Sequence, residues 1–263
     1  MRQVSVSDLA ADRRIHMWRE FMGTRSLHDV ISEKANLLLE GRSNVTLLEA
    51  GCGSASRFSF TTVVKSVGID ISKEQLARNN VVQEKILGDI QNYPLTREGF
   101  DIVVCWDVLE HLSRPRDGLL NLFNAVKPDG LLILGFPNLV SFKGIVTKIT
   151  PLWLHTCFYR HMKYRFRPFP TYLRLAILPN RVMKLAHDNG FSIVFSRLVE
   201  GGVTKNFRDR FWFMNLICSL VDKVSQAVSF GKCPPLYLDN CALILKKENK
   251  KAAHLSRRDP NEF

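Results

Sequence analysis

The sequence predicts an α/β fold, a doubly wound, seven-stranded and mostly parallel sheet, and three observations carry that expectation. From residue 45 onward, short apolar runs alternate with helical patterns at βαβ spacing, the arrangement that covers a parallel sheet with helices. A glycine-containing turn follows the first of these runs directly, and an acidic residue closes the second. The 263 residues, 46% apolar and 24% charged, suffice for one large core or two small ones, which excludes disordered and collagen-like classes.

Taken in order, Val45-Thr46-Leu47-Leu48 reads as the first buried strand, followed by the turn and a short helix toward Val64. Ser66 to Ile69 forms the second strand, ending at Asp70. Ser72 with Gln75 three residues on predicts a capping box that opens a helix through Asn79. Lys85-Ile86-Leu87 is a short third strand running into Gly88-Asp89. The β-branched run from Phe100 to Cys105 is the central strand. An amphipathic helix from Arg116 to Val126 then stops at Lys127-Pro128-Asp129-Gly130, before a fifth strand from Leu131 to Gly135. A helix from Asn180 to Asn189 ends at Gly190, a residue suited to a left-handed cap, and Phe191 to Leu198 and Cys241 to Leu245 complete seven strands.

Residues 1–40 read as an N-terminal helical cap with Trp18, Phe21, Leu27, Val30 and Leu37 as its packing face. Residues 41–137 form the binding core, 138–178 an aromatic and basic lid insertion, and 179–246 the C-terminal core strands interrupted by a helical insertion at 201–236. Within the latter, Phe211 to Ile217 is apolar nearly all round, which predicts buried packing. Residues 247–263 read as a mobile polar tail.

Composition narrows the setting. Six cysteines without a C-x-x-C pair suggest neither a disulfide framework nor a metal site, and a reducing, cytoplasmic compartment is expected. The N-terminal residues lack the apolar core of a signal peptide, and no uncharged apolar run is long enough to span a bilayer. Of the net charge of +12, nine positive charges fall between Gly130 and His187, a stretch with no Asp or Glu, so an anionic partner is expected there.

Glu49-Ala50-Gly51-Cys52-Gly53-Ser54-Ala55, with Asp70 closing the second strand, points to a nucleotide cofactor. The glycines let backbone turn close to a ligand, and the acid can accept from both ribose hydroxyls. A dinucleotide fold needs a third glycine where Ser56 stands, and Glu49 would repel a pyrophosphate while suiting a ligand with an ammonium and a sulfonium. Together these favour S-adenosylmethionine over NAD.

These residues resemble the class I S-adenosylmethionine-dependent methyltransferases, whose first motif, E/D-x-G-x-G-x-G, is matched at Glu49, Gly51 and Gly53 and departed from at Ala55. Gly68-Ile69-Asp70-Ile71-Ser72, Gly88-Asp89-Ile90, Phe100-Asp101 to Asp107-Val108-Leu109-Glu110-His111-Leu112, and Val126-Lys127-Pro128-Asp129-Gly130 extend the resemblance over roughly residues 45–135. It implies a Rossmann-like methyltransferase fold in which Asp70 holds the ribose, Ile71 packs on adenine, and Asp89 accepts from the adenine amino group with Ile90 beside it. Gly51, Cys52 and Gly53 would line the turn, and Trp106 and Asp107 would face the methionine moiety.

A hydroxyl acceptor needs a proton removed, and His111, just past the fourth strand, is the candidate general base. The 138–178 segment, rich in aromatic and basic residues, suits a flat or apolar acceptor with an anionic group, and His155, Tyr159, Tyr172 and Arg174 are the candidate acceptor contacts. A similar insertion and a similar Glu-His pair occur in ubiquinone-pathway O-methyltransferases. The expected function is methyl transfer to a hydroxyl of a small-molecule acceptor. The alternatives are a lipid-borne acceptor at a membrane surface, RNA or protein methylation, and a non-catalytic cofactor-binding subunit. No dedicated nucleic-acid module is visible.

Overall fold

The computed structural model of the chain describes residues 26–141, 144, 172, 174–210, 212–228 and 235–249. Seven strands, β1 (Val45–Ala50), β2 (Val63–Asp70), β3 (Glu84–Leu87), β4 (Phe100–Trp106), β5 (Val126–Pro137), β6 (Phe191–Val199) and β7 (Asn240–Lys247), form one sheet in the order β3-β2-β1-β4-β5-β7-β6. The first five run parallel to their neighbours, and β7 runs antiparallel to both β5 and β6. The C-terminal ends of β1 to β6 therefore share one edge, the upper edge. The order reverses between β1 and β4, the position at which such sheets open a crevice.

Alternation along each strand sends side chains to two cores. Leu48, Ala50, Val103, Cys105, Leu132 and Leu134 meet the helices α3 (Pro115–Ala125) and α4 (Pro179–Asp188) on one face. Leu47, Ile102, Val104, Leu131 and Ile133 meet α1 (Leu27–Leu38) on the other. Ser26 and Asp29 close a reciprocal capping box on α1, a start signal that the sequence carries and that fixes where the helix enters.

Its packing face differs from the expected one. Ile31 and Ala35, with Leu39 just beyond the helix, are fully buried at a spacing of four, whereas Leu37 is 65% exposed. Val30 is half-buried, and Trp18 and Phe21 lie outside the described residues.

The turn after β1 is not followed by a helix: residues 51–62 run irregularly to a second strand that begins at Val63. Ser, Thr and alternating Phe residues disfavour a helix here, and α1 captures the backbone instead. Ser32 Oγ accepts from the Ser59 N–H at 3.1 Å, and Asn36 Oδ1 accepts from the Thr61 N–H at 3.1 Å. The short helix α2 (Lys73–Arg78) does start at an N-capping Ser72, but only half of the capping box forms. The Ser72 N–H donates to Asp70 Oδ1, and Gln75 Oε1 lies against Gly53. Gly190 takes φ +80° behind α4, as its position predicts.

The 201–236 insertion folds into α5 (Gly202–Arg210) and α6 (Trp212–Val228). Of the Phe211 to Ile217 segment expected to be buried, Phe211 and the side chains of 212–214 lie outside the described residues. Leu216 and Ile217 are exposed and continue with Leu220 and Val224, all between 42% and 63% exposed, as one apolar stripe at helical spacing. Most of the 138–178 segment lies outside the described residues. So do residues 250–263, and β7 carries Lys247 into the sheet rather than into a tail.

At the lower edge, where the parallel strands begin, Asp101 gathers several donors. Asp101 Oδ2 accepts from Lys127 Nζ at 2.7 Å, from Thr46 Oγ1 at 2.8 Å and from the Thr46 N–H at 3.0 Å. Burial pushes the Asp101 carboxyl up, but the bonds from Lys127 and Thr46 outweigh it and hold it below the ordinary carboxylate range.

Candidate functional site

The upper edge at the β1/β4 switch gathers most of the residues that the sequence singles out. Gly51 bends the chain at φ +72°, and a Cβ there would stand 2.3 Å from Val108 Cγ2, so the turn after β1 and the turn after β4 pack directly on each other. The Gly53 N–H donates to Asp70 Oδ2 at 2.8 Å, which ties the first turn to the end of β2. Each Asp70 oxygen thus carries one backbone donor, from Gly53 and Ser72, and an ionised carboxylate keeps further lone pairs on both oxygens. Ile71, the next residue, is 67% exposed, an apolar platform beside a carboxylate.

Asp89 stands at the end of the β3 connection, where its two oxygens accept from the Gln91 side-chain amide at 3.0 and 2.9 Å. Ile90 is buried beneath it, in the core under α3. Cys52 is buried against Leu76 and Val82. Burial and the Asp70 and Glu49 charges push its thiol up to about 12, so it fills space and supplies backbone to the turn.

Glu49 lies in β1, just before the turn. Its side chain is buried and accepts from the Ser56 hydroxyl, seven residues on. Burial raises its carboxyl above the ordinary range, and the Ser56 bond opposes that rise. Ser56, the residue that breaks a three-glycine motif, is thus the partner of the motif's acid.

At the end of β4, Asp107 adopts φ +56°, an uncommon conformation that Asp tolerates, and accepts from Arg57 at 2.7 Å. Trp106 faces the α1 side and forms a triangle of rings with His28 and Phe58, with centroids 5.1 to 5.2 Å apart. His28, Arg57 and Phe58 were not singled out by sequence. His111 ends the one-turn helix Leu109–His111 and is partly exposed. The carbonyl of the buried Glu110 accepts from the Tyr172 N–H at 2.8 Å, and the Arg174 guanidinium lies 5.5 Å above the Tyr172 ring, so these two candidate acceptor contacts reach the same turn as His111. His155 and Tyr159 lie outside the described residues.

A strand-end acid with free lone pairs, an adjacent apolar platform and a close-packed glycine turn fit an adenosine carrying a compact side chain. Comparison with known proteins agrees. Residues 48–134 match the family described as a methyltransferase domain. The chain is 30% identical over 160 residues to the mitochondrial ubiquinone biosynthesis O-methyltransferase of Schizosaccharomyces pombe, covering 51% of this chain and 58% of that protein. It is 34% identical over 138 residues to the corresponding Candida albicans protein, covering 43% and 41%. The chain thus spans about half the length of these curated relatives. An S-adenosylmethionine-dependent methyltransferase of Archaeoglobus fulgidus shares the fold, with a TM-score of 0.50 at 16% identity over 90% of this chain and 100% of that one.

Proposed function

We propose, on the premise that this chain belongs to the class I S-adenosylmethionine-dependent methyltransferases, that it transfers a methyl group to a hydroxyl of a small-molecule acceptor. The observation that carries the reading is the junction of the Gly51 and Val108 turns beside Asp70, where a cofactor site and an acceptor site would adjoin. S-adenosylmethionine, the cofactor of the family, supplies when bound a methyl made electrophilic by its sulfonium.

In this proposal Asp70 holds the ribose diol, Ile71 and Ile90 flank the adenine, and Asp89 accepts from its amino group. Gly51, Cys52 and Gly53 line the turn with backbone, and Glu49, held by Ser56, gives the crevice an acidic floor. Trp106 and Asp107 wall the methionine side. Displacement at carbon needs the nucleophile aligned at about 3 Å, so positioning supplies much of the rate. His111 takes the acceptor's proton. Tyr172 and Arg174 contact the acceptor, together with His155 and Tyr159.

β5 and β6 both end at the upper edge, the edge at which the acceptor is proposed to bind. The apolar stripe on α6 favours a second reading, an acceptor carried at a lipid surface. Among the described residues no helix is long and apolar enough to cross a membrane.

Incubation with methyl-tritiated cofactor and cell extract tests the reading. Label in organic-soluble small molecules is expected; label in phospholipid-borne species selects the second reading, and label in RNA, in protein or nowhere overturns both. His111→Ala should abolish transfer while adenosylhomocysteine binding by calorimetry stays intact, and unchanged turnover removes His111 from the mechanism.

A further inference from the structure

An ion pair bridges the two turns that meet at the crevice. Arg57, in the irregular loop after β1, donates through Nη1 to Oδ2 of Asp107, the residue after β4, at 2.7 Å. The side chains are 59% and 44% exposed, so a ligand reaches the pair without displacing any of the core. An exposed pair of this kind contributes little to stability, and parting it costs little. The Asp107 backbone stays fixed when Arg57 leaves, because its N–H donates to the Gly135 carbonyl at 2.9 Å and its left-handed turn runs on into Val108, packed against Gly51. The acid of the glycine motif is otherwise engaged: Glu49 is buried and accepts from Ser56. Arg57, the next residue, stands two positions beyond Ala55, the last of that motif. Burial, then the Arg57 charge, lowers the pKa of the neighbouring His28 against the opposing pull of Asp107 and Asp29, so His28 is neutral at pH 7 and adds no second cation to the pair.

We propose that the Arg57–Asp107 pair is a charge-selective latch across the crevice: the two side chains part and exchange partners, Asp107 taking the ammonium and Arg57 the carboxylate of the cofactor's amino-acid end. The inference rests on the methyl-transfer reading and adds to it a specificity-determining residue outside the glycine motif. The pair holds one charge of each sign in contact, and an amino acid holds one of each sign on a single carbon. Exchange therefore leaves every charge opposite a partner and the net charge unchanged. The guanidinium gains by it, since its planar fork takes a carboxylate through two parallel bonds, whereas its contact with Asp107 runs through Nη1. An adenosine thioether with the ammonium but without the carboxylate parts the same pair and leaves Arg57 without an anion. The latch thus selects the complete amino-acid end against a decarboxylated one.

The test is calorimetry on the full chain with adenosylhomocysteine, its decarboxylated analogue, and methylthioadenosine, which lacks both charged groups. Wild type is expected to prefer adenosylhomocysteine to the decarboxylated analogue by about tenfold or more. In Arg57→Met the adenosylhomocysteine affinity should fall about tenfold, while the decarboxylated analogue binds as well or better, because Asp107 is then released for its ammonium. Methylthioadenosine affinity should be unchanged, and the melting temperature should move little, as for an exposed pair. Arg57→Lys, which keeps the charge and loses the fork, should restore part of the preference. Equal wild-type affinity for adenosylhomocysteine and its decarboxylated analogue, equal weakening of the two in Arg57→Met, or an unchanged adenosylhomocysteine affinity in that variant overturns the latch while leaving methyl transfer standing. Failure of adenosylhomocysteine to bind the wild type brings down the parent reading, and this inference with it.

Discussion

The two edges of the sheet handle charge in opposite ways. At the lower edge Asp101 collects three donors from Lys127 and Thr46, and Lys247 donates to the carbonyl of Val126 at 2.7 Å and to that of Phe123 at 3.2 Å. The Asp101 carboxyl is held low by these donors. At the upper edge Glu49 is buried with its carboxyl raised, His28 Nε2 has no partner among the described residues, and Asp107 takes a left-handed backbone conformation. One edge is stabilised by its polar groups, and the other keeps groups in states that a ligand would relieve.

The contrast is broken most severely at the lower edge. Asp101→Ala leaves Lys127 unpaired and should lower unfolding free energy by about 2–3 kcal/mol at pH 7, measured by urea denaturation, with little change in adenosylhomocysteine affinity. Because the folded carboxyl is depressed, its stabilisation is present above the ordinary carboxylate range and is lost as pH falls through the depressed value. The gap between wild type and variant should therefore close in acid. A variant that loses cofactor and keeps its stability would invert the assignment of the two edges.

Asp70→Asn probes the upper edge. It should weaken adenosylhomocysteine binding about tenfold in calorimetry, with a smaller change in melting temperature than Asp101→Ala. Equal affinity would remove Asp70 from the cofactor site.

Glu49→Gln should have the smallest effect, and of opposite sign. A carboxyl raised in the folded state contributes stability below its unfolded value and loses it as pH rises through the folded value. Glutamine should therefore raise the melting temperature at pH 8, and the gain should shrink as pH is lowered toward 5. A variant less stable than wild type at pH 8 would show that Glu49 is comfortable as an anion.

What sequence revealed of this arrangement follows the range of the interactions. Glu49, Gly51, Gly53 and Asp70 are legible because strand, turn and strand-end acid are neighbours in the chain. The seven strands were legible for the same reason, since alternation and β-branching act locally. Hidden were contacts made by packing. Ser56 announces itself only as a missing glycine, and His28 meets Trp106 across 78 residues. The exposed face of α6 escaped because apolar residues report a wish for cover and not its presence. Leu37 misled for a related reason: two turns of apolar residues on α1 offered two possible faces, and the sheet took the one containing Ile31 and Ala35.

The antiparallel placement of β7 between β5 and β6 bears on how the protein is made. β5 leaves the ribosome long before β7, and β6 precedes it by two helices, so a nascent chain carries two unzipped strand rims with a vacant slot between them. Closure of that slot is a late, long-range event, and a cell producing this chain has most reason to shield it from aggregation during the synthesis of residues 200–240.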